Sequence, residues 1–166
     1  MADDELLKLS ADLGLALKQR GWMLALAESC TGGMAAQYVT AIAGSSAWFD
    51  AGFVTYSNEA KIAMLAVDAE TILRHGAVSE QTALEMAAGA LQYSRASIAA
   101  AITGIAGPDG GTAEKPVGTV CFAWATADGI RISSTLRFGG DRRSIRTASV
   151  KTAFERLLSL TLPFDL

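Results

Sequence analysis

Two short apolar segments constrain the fold more than any other feature of the chain: WMLALA (22–27) and the Ala/Ile-rich SIAAAIT (97–103). Runs this short suit strands buried on both faces of a sheet, which requires helices above and below it. The intervening sequence supplies those helices. Leu6, Leu9, Leu13 and Leu17 recur at spacings of three and four, predicting an amphipathic helix that ends at Gly21. A second helix is expected over about 31–42, and a strand at AGFVTY (51–56). Ser57 or Asn58 can cap a short helix carrying Lys61, another short helix runs from about 69 to Gly76, and Ser79 caps a longer one.

Beyond SIAAAIT the pattern changes. GIAGPDGGTAEKP is too rich in glycine and proline for regular structure. VGTVCFAWAT and IRISSTLRF flank Ala127-Asp128-Gly129 as a hairpin, and a helix closes the chain from about 141 to 160. Strands separated by helices, followed by a hairpin, give an α/β fold with a mixed sheet and helices on both faces. At 166 residues the chain fits a single domain, residues 1–166, able to bury about 70% of its unfolded surface. With 51% apolar but only 7% aromatic residues, its core must come from Ala, Val, Leu and Ile.

A net charge of −3 argues against a basic footprint for nucleic acid or an anionic membrane. No apolar run approaches the roughly 18 residues of a membrane span, and MADDELLKLS lacks the basic start of a signal peptide. Cys30 and Cys121 are therefore read as reduced thiols in a cytoplasmic protein. A homodimer is a common state for an enzyme of this size.

The stretch AESCTGGMAAQYV (27–39) carries the most chemistry. Ser29, Cys30 and Thr31 are three candidate nucleophiles on one turn, and Gly32 and Gly33 would let a ligand approach the free amides of a helix start. The same pattern also fits a plain helix cap with glycines that relieve packing. A histidine-activated nucleophile would have to use His75, the only histidine, which suits the surface of a helix C-terminus better. Metal sites built from histidine or cysteine lack the residues. The base is then a lysine or a tyrosine. Lys61 is the best placed, in the first turn of its helix, with burial needed to make it neutral; Tyr56 could share its pocket. Arg142, Arg143 and Arg146 crowd the start of the last helix against its dipole, so an anion near Arg142, or capping by Asp141, would relieve them. The Thr103–Pro108 loop falls at the carboxyl edge of a central strand, where open α/β sheets bind ligands.

Taken together, AESCTGG, GFVTYSNEAK, GAVSEQTALEMA, TGIAGPDGGTAEKPVGTV and FGGDRRSIR resemble the CinA-like C-terminal domain family, in that order and over about residues 20–160. The resemblance implies a three-layer α/β/α fold around a roughly five-stranded mixed sheet. It implies hydrolysis of the carboxamide of nicotinamide mononucleotide to nicotinate mononucleotide and ammonia, with no metal or organic cofactor, by a stand-alone form of the domain. It further implies Ser29 as nucleophile, Lys61 as base, Tyr56 as an assisting hydroxyl and Arg142 in the site. Thr31, Gly32 and Gly33 on one loop, and Thr103, Gly104 and Gly107 on the other, would line the substrate pocket. Two other readings use the same residues: a nucleotide-binding module without turnover, and a Ser/Lys amidase for another small amide.

Overall fold

The strands β1 (Leu24–Glu28), β3 (Ile98–Gly104) and β4 (Thr119–Thr126) alternate large and small apolar side chains, and that alternation shapes the molecule. Successive strand residues point to opposite faces of a sheet. Leu24, Leu26, Ile98, Ile102, Val120, Phe122 and Trp124 all fall on one face. Ala25, Ala27, Ala99, Ala101, Cys121, Ala123 and Ala125 fall on the other. In the computed structural model, which describes residues 1–163, the bulky face packs against α1 (Ala2–Arg20), α2 (Met34–Thr40) and α6 (Arg142–Thr161). The alanine face receives α5 (Glu80–Gln92), itself lined by Ala83, Met86, Ala87 and Ala90. The last three residues of the expected domain over 1–166 lie outside the described residues.

The sheet has five strands in the order β2-β1-β3-β4-β5, with β2 (Phe49–Val54) and β5 (Arg131–Arg137) at the edges. β2, β1 and β3 run parallel, whereas β4 and β5 are antiparallel to their neighbours. The fold is thus α/β with a mixed sheet between two helical layers, and the edge order that sequence alone left open is settled. The chain leaves β1 for β2 on one side and reaches β3 on the other. The carboxyl ends of β1 and β3 therefore diverge into a crevice. Among the described residues, no helix is long and apolar enough to cross a membrane.

Three boundaries beside the sheet's carboxyl edge differ from expectation, each for a local reason. β2 stops at Val54 rather than at residue 56, because its neighbour β1 ends at Glu28, the partner of Val54. α2 begins at Met34 rather than at 31, because Gly32 and Gly33 take φ values of 55° and 102°. β1 runs on to include Glu28, whose side chain is buried. Of the two candidate caps for α3 (Asn58–Leu65), Ser57 accepts from the amide of Ala60 at 3.0 Å.

α3 is held down by α5 at one point. A Cβ on Gly89 would lie 2.0 Å from the carbonyl oxygen of Leu65, main chain that cannot yield locally. Gly89→Ala should therefore cost about 1–3 kcal/mol of unfolding free energy, as overpacking does, although alanine is the better helix former. Equilibrium urea denaturation measures this; a variant as stable as the parent would show that α3 and α5 are not in such close contact.

Candidate active site

Ser29 is the first residue past β1, and its amide donates to the carbonyl of Ile102 at 2.9 Å, holding it beside the end of β3. Lys61 and Leu65 are the two buried residues of α3, four apart and hence on one helix face. Packing of Leu65 against the sheet layer carries Lys61 inward with it, leaving Lys61 only 1% exposed. Its Nζ stands 2.9 Å from Ser29 Oγ, 2.9 Å from the Thr55 carbonyl and 3.1 Å from the Tyr56 carbonyl. Those two carbonyls are available because β2 has already ended.

This environment loosens the amine's hold on its third proton. Among the described residues no carboxylate pairs with Lys61, and burial away from water pulls its ammonium below the usual lysine range, against a small opposing pull from the Cys30 thiol. A carbonyl can only accept a hydrogen bond. The Thr55 and Tyr56 carbonyls therefore fix two N–H bonds of the amine, and its remaining tetrahedral direction faces the Ser29 hydroxyl. In the neutral form that direction holds the lone pair; in the charged form it holds a proton. The Ser29 hydroxyl has a longer alternative acceptor, the Tyr56 carbonyl at 3.4 Å.

Ser29, Cys30, Lys61, Thr103, Gly104 and Ala106 line a cavity of about 220 Å³. Tyr56, 63% exposed, and the exposed Arg142 stand at its edge. Arg142 donates to the Gly107 carbonyl at 2.7 Å and to the Tyr56 hydroxyl at 3.4 Å, so it ties the two loops of the rim together. Cys30 and Ala106 have main-chain amides that donate to no acceptor among the described residues. Both residues line the cavity, which makes their amides candidate donors to an oxygen that gains negative charge there. A larger cleft of about 520 Å³, containing His75, Glu80 and Cys121, shares only Val78 with this cavity, and in it the Thr135 hydroxyl donates to the Glu80 carboxylate at 2.7 Å.

Of the residues expected to line the pocket, Thr31, Gly32, Gly33 and Gly107 do not. The Thr31 hydroxyl donates to the Glu28 carboxylate at 2.7 Å, and the same carboxylate accepts from the amides of Ala35 and Ala36 at 2.9 and 3.0 Å. The start of α2 is thus occupied from within, which corrects the expectation of an anion cradle there. Gly107 serves through its carbonyl, as the anchor of Arg142. Nor does the arginine cluster need an anion: Asp141 caps α6 at the Ser144 amide, and Arg146 donates to the carbonyls of Cys30 and Thr31 at 3.2 and 2.9 Å. His75 is exposed at the end of α4 (Ala69–His75), as its position suggested. Glu28 is the residue that sequence reasoning missed, although a carboxylate ending an apolar strand, ahead of a helix whose N-cap is glycine, is a readable signal. Among the described residues no three His, Cys, Asp or Glu side chains gather as a metal ion would require.

The CinA C-terminal domain model matches residues 6–161, nearly the whole chain. The chain belongs to the CinA C-terminal domain family. Within this family it is 56% identical over 157 residues to the nicotinamide-nucleotide amidohydrolase PncC of Escherichia coli strain K12, covering 95% of each chain. It is 52% identical to a CinA-like protein of Syntrophobacter fumaroxidans, matching 85% of this chain but 33% of that longer protein. The crystal structure of the competence/damage inducible protein CihA from Agrobacterium tumefaciens superposes with a TM-score of 0.92 at 51% identity, covering 93% of this chain and 94% of that one.

The thiol next to Ser29 is poorly suited to attack. Burial pushes the Cys30 pKa up to about 11, well above neutrality, so almost none of it is thiolate at pH 7. Cys30 and Cys121, both buried, should react slowly with a disulfide reagent at pH 7.5 in the folded protein and rapidly after denaturation. Equal rates in the two states would show that the thiols are accessible and activated.

Proposed function

We propose that the chain hydrolyses the carboxamide of nicotinamide mononucleotide, releasing ammonia and nicotinate mononucleotide, and that residues 1–166 act as one amidohydrolase domain. The observation that carries the mechanism is the 2.9 Å contact between a buried lysine amine and a serine hydroxyl at the sheet's carboxyl edge. The similarity to a nicotinamide-nucleotide amidohydrolase across 95% of both chains supports the substrate.

In the first step the Ser29 hydroxyl adds to the carboxamide carbon and its proton passes to Lys61 Nζ. The carbonyl oxygen becomes an oxyanion, stabilised by the amides of Cys30 and Ala106. As the tetrahedral adduct collapses, Lys61 returns the proton to the departing nitrogen, which leaves as ammonia, and the nicotinoyl group remains as an ester on Ser29. Water then adds to the ester with Lys61 again taking a proton, the Ser29 oxygen leaves and is reprotonated, and the carboxylic acid product departs. The pyridinium charge of the substrate assists twice: it makes the carboxamide carbon more electrophilic, and it disfavours a second cation at Lys61. Arg142, fixed at the rim, is the partner for the negatively charged phosphate, and the Tyr56 hydroxyl beside it completes that edge. No step calls for a metal ion or organic cofactor.

Lys61→Arg keeps a positive charge but cannot act as a neutral base, because guanidinium does not deprotonate in this range. It should lose ammonia release on the roughly 10²–10⁴ scale of general-base catalysis, as should Lys61→Ala, while Ser29→Ala should bind nicotinamide mononucleotide without turning it over. In the wild type, kcat/KM should rise with pH as Lys61 loses its proton. That limb should lie below the ordinary lysine range, because burial lowers the pKa. The same sign applies to stability: between the lowered folded value and about 10.4, the unfolded chain holds more protons at this site, so this group's contribution to stability improves as pH rises. A Lys61→Arg variant with near wild-type kcat/KM would reduce Lys61 to a positive charge and end the base assignment.

A further inference from the structure

The turn that carries Ser29 has no regular secondary structure of its own, yet two charged side chains hold it from opposite ends. Glu28, 1% exposed, folds its carboxylate over the turn, with Oε1 accepting from the Thr31 hydroxyl and the Ala35 amide and Oε2 from the Ala36 amide. Arg146, half-buried on α6, reaches the same turn with its guanidinium, donating from Nε to the Cys30 carbonyl and from Nη2 to the Thr31 carbonyl. We propose that Glu28 and Arg146 are positioning residues for the reaction: together they fix the Ser29–Gly33 turn so that Ser29 Oγ stays within reach of Lys61. This rests on the reading of Ser29 as nucleophile and Lys61 as base.

The bonds divide the turn's polar groups between them. Glu28, an acceptor only, takes the hydroxyl and the helix-start amides, and Arg146, a donor only, takes the carbonyls. The fork pins the Cys30–Thr31 and Thr31–Gly32 peptide planes, which fixes the orientation of the Thr31 and Gly32 amides that follow the two carbonyls. Neither side chain reaches the cavity, and neither bonds Lys61. Their effect on the reaction therefore runs through the geometry of the turn. Gly32 and Gly33, at φ values of 55° and 102°, permit a turn tight enough for both ends to be held at once.

A displacement of about 1 Å at a reacting group can cost on the order of 10²-fold in rate. Arg146→Lys keeps the charge and loses the two-point fork, and Glu28→Gln places an amide donor where a carboxylate oxygen accepted. Both should lower kcat for nicotinamide mononucleotide by about 10–100-fold, with KM within about threefold of wild type, the signature of an interaction used in the transition state. The control is Val150→Ala, a cavity in the buried face of the same helix, which should lower stability and leave kcat intact when assayed well below its unfolding midpoint. If Glu28→Gln does not fold, Arg146→Lys decides. Wild-type kcat in Arg146→Lys, or an equal loss in Val150→Ala, would overturn the proposal. A Ser29→Ala variant that still releases ammonia would instead remove the nucleophile assignment, and the positioning role would fall with it.

Discussion

The Lys61 amine ends among two main-chain carbonyls and one hydroxyl, and among the described residues no carboxylate pairs with it. Burying an ammonium in such a place costs several kcal/mol unless it sheds its proton or finds a counter-charge. The carbonyls alone do not provide one. Burial therefore makes the amine give up its proton more readily than an exposed lysine does, and its direction is set by which bonds are already committed. Much of the surrounding architecture serves this arrangement. β2 must end at Val54 to free the carbonyls of Thr55 and Tyr56, α3 must present Lys61 and Leu65 on one face, and β1 must stop at Glu28 so that Ser29 turns toward the amine.

The asymmetry of the sheet makes this possible. Leucine, isoleucine, phenylalanine and tryptophan build a thick layer beneath α1 and α6, while alanines on the opposite face let α5 approach closely. α5 in turn holds α3 through the contact of Gly89 with the Leu65 carbonyl. Lys61 is thus supported by one helical layer, whereas the Ser29 turn is held by the other, through Arg146 on α6. Serine and lysine meet at the end of the central strands.

Much of this was legible in the sequence, for identifiable reasons. The helices announce themselves by leucine spacing and by Ser57, Ser79 and Asp141 at their caps, and the central strands by short apolar runs. Ser29, Lys61, Tyr56, Thr103, Gly104 and Arg142 do share one cavity. What could not be read was the direction of polar side chains. The glycines and amides after Ser29 suggested an external anion, but the chain supplies its own in Glu28, one residue ahead of the serine. The arginines likewise looked unbalanced along the helix and find their partners in loop carbonyls distant in sequence. Long-range hydrogen bonds of this kind leave no periodic trace. The alternation of large and small residues in β1, β3 and β4, which decides which helix lies on which face, is visible in the sequence once the strands are aligned.

A lysine that serves as base must be neutral where ammonia release is fast, and the titration of Lys61 itself tests this most directly. In protein carrying isotopically labelled lysine, with Lys61→Arg used to assign the resonance, the Lys61 amine signal can be followed from about pH 6 to 11 by NMR. The midpoint should fall clearly below the ordinary lysine value of about 10.4, in the direction that burial imposes, while surface lysines such as Lys8 serve as the internal reference. A Lys61 that titrates together with those surface lysines would be an ammonium throughout the working range, and the mechanism built on it would be wrong.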